Sequence, residues 1–417
     1  MTVSNKLSEV IHSFIILTLF TMISPTIIQI TQSTILNKLI IPFLLILCII
    51  YYFFSKKIVV NVAGSFLLAF FMLILLFSVE FSRSMSAVSD IKTLIVYYLP
   101  IIIMILFIFL RHSDERKKRD SILSIVLLFG LLEAILGIIQ FMLKNPIFPT
   151  MVDGQQVVSS IYYVPGNGGT GDLSVVGGSY LVRASGTMGS GLGLGILSIC
   201  SLGILELRQS TKLTFMMKVV LLISILLTLT GAIYIGYLSF IIFKHLLNKS
   251  TRLIMGIYYC LWVAGIATPL IFAHIPQKII EHYPTIGSRF NGIKYYQSVL
   301  DSDLVSQLFG QNFTNTWQNL ANTTININNR YVVDNFYMYS IFNIGILGIA
   351  ILFFSYRNIM LQQLKNDSKS PLIALQMCLL VIGFANNVST TFGIIGIIAL
   401  LSVGNDKKDV VEVKIRE

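Results

Sequence analysis

Apolar runs of about 20 residues recur along nearly the whole chain, and each is long enough to cross a hydrocarbon core roughly 30 Å thick as a helix. Read between polar breaks, they place candidate spans near 10–30, 36–54, 58–79, 91–110, 121–143, 185–206, 214–230, 231–247, 253–273, 336–356, 371–387 and 389–404. Thr230-Gly231 is the sole interruption of the apolar stretch around it, which fits two short spans or one long tilted one. Hydrophobic residues make up 55% of the 417 positions and charged residues only 12%, about half the charged share of a water-soluble domain. Short alternating barrel strands do not fit runs of this length either. The pattern predicts an all-α polytopic membrane protein with about twelve transmembrane helices in one membrane domain, residues 1–417. The first run carries no A-x-A-like cleavage site, so it reads as a retained span.

A net charge of +11 would suit nucleic acid, but basic residues beside membrane spans ordinarily hold loops in the cytoplasm. With a cytoplasmic N-terminus, most of the 30 lysines and arginines fall on the inner side, among them those of RHSDERKKRD at 111–120. This predicts both termini in the cytoplasm and no nucleic-acid partner. Two long outer loops follow, at 144–184 and 274–335, and connections of that length usually serve a function. In the second, Phe290, Ile293, Tyr296, Leu300, Leu304 and Leu308 step by three or four between Ser288 and Gly310, which predicts an amphipathic helix over 289–309.

Several familiar chemistries do not fit. Cys48, Cys200, Cys260 and Cys378 all lie inside apolar runs and read as small buried hydrophobes. The histidines lack metal-ligand spacing, and Asp301 and Asp303 stand two apart on a helix, off a shared face, so no metal site is expected. The glycine-rich SGTMGSGLGLG (185–195) lacks GK[ST] and enters a span, which predicts close helix packing through small residues.

What remains gathers near the outer surface. Arg183 stands before the sixth span, Arg289 opens the amphipathic helix, and Arg330, Asp334 and Asn335 precede the tenth span. An arginine offers a permanent charge and a planar fork that matches phosphate oxygens, so these positions suit a lipid diphosphate. Taken singly, each arginine is equally an interfacial anchor. Glu133 lies in the middle of the fifth span, where a carboxylate is costly unless paired, and Gln140 is seven residues on along the same helix face. The sequence leaves a functional and a structural role for this intramembrane pair equally open.

At these residues the chain resembles the Wzy and O-antigen ligase superfamily of bacterial lipid-linked oligosaccharide polymerases. The resemblance lies in an order of elements: Arg183-x-x-Gly186 entering a span, Arg289 with a helix, Phe309-Gly310-x-x-Phe313, Asp334-Asn335-x-Tyr337, and Gly345-x-x-Gly348. It covers about residues 120 to 360. Thr230-Gly231 stands where many relatives have Ser-Arg, and the Asn-rich stretch 314–330 has no counterpart. Ligase-type members often have His where this chain has Asp334, which favours a polymerase.

The resemblance implies a bacterial cytoplasmic-membrane glycosyltransferase that joins polyprenyl-diphosphate-linked oligosaccharide units, as donor and acceptor, into capsule, exopolysaccharide or O-antigen. Asp334 would accept the acceptor hydroxyl's proton, Arg183 and Arg289 would hold the diphosphate, and Arg330, Tyr295 and Asn335 would assist. A single displacement with one carboxylate predicts inversion at the anomeric carbon. No cofactor is expected, and a flippase and a chain-length regulator are the protein partners such an enzyme would meet. The competing class is a lipid-linked oligosaccharide flippase or other secondary transporter, although no internal repeat is visible.

Overall fold

Inside a bilayer the backbone has no water to bond to, and a continuous apolar segment satisfies its N–H and C=O groups by coiling into a helix. The computed structural model describes residues 62–80, 98–108, 116–145, 181–272, 304–310, 335–386 and 388–402, with shorter pieces elsewhere before residue 163 and at 411–412. The helices are α1 (Val62–Glu80), α2 (Tyr98–Ile108), α3 (Arg116–Leu143), α4 (Gly191–Leu205), α5 (Lys212–Leu227) and α6 (Gly231–Leu247). They continue with α7 (Thr251–Phe272), α8 (Leu304–Phe309), α9 (Phe336–Asn366), α10 (Pro371–Ile382) and α11 (Ser389–Ser402). Strand pairing among the described residues is confined to ladders two or three residues long, such as Tyr162–Tyr163 against Leu181–Val182.

The protein is helical and carries the apolar helices of a membrane protein. Among the described residues, Ile122–Leu143, Thr251–Thr268 and Phe336–Asn366 are long and apolar enough to cross a membrane, and several shorter apolar helices accompany them. Helix α3 is built inside out. Leu128 and Leu132 are 59% and 53% exposed, and with Ile135, Ile139 and Met142 they form an exposed stripe, while Glu133 and Gln140 are 4% and 0% exposed on the opposite face. Such a continuous apolar stripe fits lipid, not water. Nitroxides placed along 128–142 should therefore show oxygen accessibility with a helical period, highest at 128, 132, 135, 139 and 142 and lowest at 133 and 140; a flat profile would remove the lipid-facing assignment.

Two ends of the bundle are distinguishable by their bonding. At one, Glu206 just after α4 accepts from Lys218 of α5 at 2.6 Å and from Lys244 of α6, and Arg208 donates to the Ser124 hydroxyl of α3 at 2.6 Å. At the other, the Ala184 N–H donates to the Leu227 carbonyl at 2.9 Å, and the Phe336 N–H to the Gly383 carbonyl at 2.8 Å. Gly236, in the second turn of α6, faces the Ile382 side chain at the end of α10, which puts 183–190, 228–231, 335 and 383–386 toward that second end. Buried Gln363 donates to the Ala399 carbonyl at 3.3 Å and accepts from Gln376 at 2.7 Å, a polar tie across α9, α10 and α11 where apolar packing alone gives little preference for protein over lipid.

Three sequence expectations are refined. The stretch 214–247 forms two helices: Thr228 ends α5, Leu229 is left-handed at φ 47°, and Thr230 begins α6. The helix expected from 185 starts only at Gly191, where the Ser190 hydroxyl caps the Gly193 N–H, because Gly186 and Gly189 take positive φ. Of the expected cysteine burial, Cys200 and Cys378 are buried but Cys260 is exposed on α7; Cys48 lies outside the described residues.

The glycines of 185–195 mark close approaches. A Cβ on Gly195 would lie 2.6 Å from the Ile233 side chain, and one on Gly191 would lie 2.6 Å from the Thr228 carbonyl. These contacts bring α4 against the start of α6, as small-residue packing requires.

Candidate functional site

Helix α4 has 15 residues, so at 1.5 Å per residue it covers roughly 22 Å, short of a hydrocarbon core. Before it, the chain runs through the non-helical segment 183–190, in which Ala184, Ser185, Gly186, Met188 and Gly189 are buried. Irregular backbone is tolerated at membrane depth only where protein groups satisfy it. Glu133 and Gln140 do this. The Thr187 N–H and hydroxyl each donate at 2.6 Å to the two oxygens of the Glu133 carboxylate. The Gln140 amide accepts from the Gly186 N–H at 2.9 Å and from the Ser185 N–H and hydroxyl at 3.3 and 3.2 Å, and it donates to the Gly186 carbonyl at 2.8 Å.

The polar stripe expected on α3 therefore has its partner in the Ser185-Gly186-Thr187 stretch of the arginine motif. Gly186 sits at φ 57°, and a Cβ there would collide with the Glu133 carboxylate and stand 2.9 Å from the Glu133 carbonyl. Gly137 lies between the two polar residues, and a Cβ on it would be 2.5 Å from Leu194 and 3.3 Å from Ala184. Arg183 stands at the start of this segment, half-buried, between the short ladder at Leu181–Val182 and the bonded stretch 184–187.

Asn335 lies toward the same end. It caps α9, its side-chain oxygen accepting from the Tyr337 N–H at 2.9 Å and the Met338 N–H at 3.1 Å, while its amide donates to the Phe384 carbonyl at 3.0 Å. The side chain thus ties the start of α9 to the turn after α10. The resemblance implies a substrate contact for Asn335; the cap is a separate role, signalled by Asn directly before an apolar run.

A second junction joins the motif glycines. Helix α9 is broken at Gly345, whose φ of 64° and ψ of −172° only glycine adopts readily. Against the break sits the end of α8: a Cβ on Gly310, at φ 84°, would be 2.5 Å from the Asn343 carbonyl carbon, and one on Gly345 would strike the Leu308 carbonyl. The two segments touch backbone to backbone, and Phe309 packs onto the core beside them. The Phe309-Gly310 and Gly345-x-x-Gly348 elements, 35 positions apart, are neighbours in space.

Arg289, Tyr295, Arg330 and Asp334 lie outside the described residues, as does 289–303 of the expected amphipathic helix; Leu304–Phe309 is helical. No family model, curated protein or solved structure matches the chain.

Proposed function

We propose that the protein is a Wzy-type polymerase of the bacterial cytoplasmic membrane, with about twelve spans and both termini inside. It transfers a growing glycan from its polyprenyl diphosphate to the terminal hydroxyl of a second lipid-linked repeat unit. The observation that carries this is the placement of Arg183. Arg183 is held on bonded, non-helical backbone at the end of the bundle opposite the Glu206, Lys218, Lys244 and Arg208 cluster, and Asn335 lies toward the Arg183 end. With the basic cluster inside, as the charge rule requires, Arg183 stands at the outer headgroup level, where lipid diphosphates present their charge.

In this mechanism Arg183 and Arg289 take the diphosphate oxygens, and charge building on the leaving diphosphate meets fixed cations. Asp334 accepts the proton of the attacking hydroxyl, with Arg330, Tyr295 and Asn335 placing the sugars. The new glycosidic bond forms as the bond to the diphosphate breaks, with inversion and no metal.

Reconstitution into liposomes with a single lipid-linked repeat unit tests the proposal: a ladder of longer glycans supports it. Movement of the lipid between leaflets without chain growth would make the protein a flippase, and glycan transfer onto a different lipid acceptor would make it a ligase. Arg289→Lys keeps the charge but loses the bidentate fork, so its polymer yield should fall by about tenfold; full yield would reduce Arg289 to a surface anchor.

A further inference from the structure

We propose that Glu133 and Gln140 are positioning residues: from inside the membrane they grip the backbone of 185–187 and so fix where Arg183 stands. This rests on the reading of Arg183 as a diphosphate ligand, which gives the grip its purpose.

The hydrogen bonds set what each position requires. Both Glu133 oxygens accept, one from the Thr187 N–H and one from its hydroxyl; a glutamine could keep both contacts by donating to the hydroxyl oxygen, whereas a leucine of similar size leaves the Thr187 N–H without an acceptor. Gln140 must do both: its oxygen accepts from the Gly186 N–H while its nitrogen donates to the Gly186 carbonyl, so a glutamate there would set a carboxylate oxygen against a carbonyl. Glu133→Leu and Gln140→Glu therefore spoil the grip with little change in volume. The pair stands seven positions apart on α3, with Gly137 between them letting the segment lie close enough to be held from both sides.

The constraint passes directly to Arg183. Its following residue, Ala184, is tied to Leu227, and its preceding residue, Val182, is paired with Tyr162. Gly186 leaves no room for adjustment, because any side chain there meets Glu133. A flexible loop would let an arginine snorkel freely, whereas this one starts from a fixed backbone.

The test uses the full chain in its native membrane, with the four native cysteines replaced and Arg183→Cys introduced. The rate of labelling by a charged methanethiosulfonate is measured per mole of inserted protein, and polymer formation is assayed in parallel with Arg183 intact. Glu133→Leu and Gln140→Glu should each change the labelling rate by about fivefold or more, fivefold being the effect of one lost hydrogen bond, and should raise KM for the lipid-linked unit more than they lower kcat. Leu132→Ala, on the exposed stripe beside Glu133, should change neither. Thr187→Val removes only the hydroxyl donor and serves where a buried swap fails to insert; it should act in the same direction, about twofold. Unchanged labelling in all three variants of an active chain overturns the grip alone. Changed labelling in a chain whose parent makes no polymer keeps the grip and removes the polymerase proposal.

Discussion

Asp334→Asn is expected to stop polymer formation, lowering turnover by about two to four orders of magnitude, while the chain reaches the membrane at its normal level. The substitution keeps size and shape and removes only the ability to take a proton, so the acceptor hydroxyl must attack without a base. The neighbouring residue supplies the contrast. Asn335 caps α9 and bonds to Phe384, so Asn335→Ala should act first on stability, by about 1 kcal/mol for the cap, and lower the amount of folded protein. Normal-length polysaccharide from Asp334→Asn, separated on a gel, would take Asp334 out of the mechanism. Equal loss of membrane-inserted protein in both variants would make position 334 structural.

Gly345→Ala should be among the most disruptive single methyl groups at the described residues. The new Cβ would enter the Leu308 carbonyl, and alanine at φ 64° and ψ −172° occupies a region open essentially to glycine. Backbone strain of about 1–3 kcal/mol and overpacking of similar size add to several kcal/mol, enough to unseat α8 from the break or unfold the bundle. Gly256→Ala is the control: no atom lies within 4 Å of a Cβ there, so stability should hold or rise slightly. Thermal unfolding in detergent, followed through an aromatic or fluorescent probe, measures both. Wild-type stability in Gly345→Ala would mean that α9 is not broken where the backbone places the break.

The helices were largely legible because lipid enforces them. Apolar length alone placed Val62–Glu80, Arg116–Leu143, Gly231–Leu247 and Thr251–Phe272 within a few residues of their observed bounds. The two departures from helix share one physical cause. At 185–190 and at Gly345 the composition stays apolar and glycine-rich while the backbone leaves the helix, and hydropathy does not register a change of φ. Glycine in an apolar run reads as a packing residue, and Gly195 and Gly236 are that, but Gly186 and Gly345 serve a conformation instead.

The site was legible in part. A carboxylate and an amide seven apart on one apolar helix announced a buried partner, since neither group is left bare in lipid. Which partner could not be read, because Ser185, Gly186 and Thr187 lie some fifty residues away and become acceptors' targets only when the backbone there is irregular. Asn335 carries two signals at once, a place in the motif that the resemblance singles out and an N-cap directly before an apolar run, and the structure describes the cap.

The central claim is that Arg183 and Asp334, remote in the chain, share one outer site. A short bifunctional thiol reagent tests it on a chain carrying Arg183→Cys and Asp334→Cys, with a protease site introduced in 314–330. After cleavage, the crosslink should hold the two fragments together on a denaturing gel, while Arg208→Cys with Asp334→Cys, which the proposed topology sets on opposite sides of the membrane, should not. Fragments that separate from the first pair although both thiols react singly with the reagent would contradict a common site.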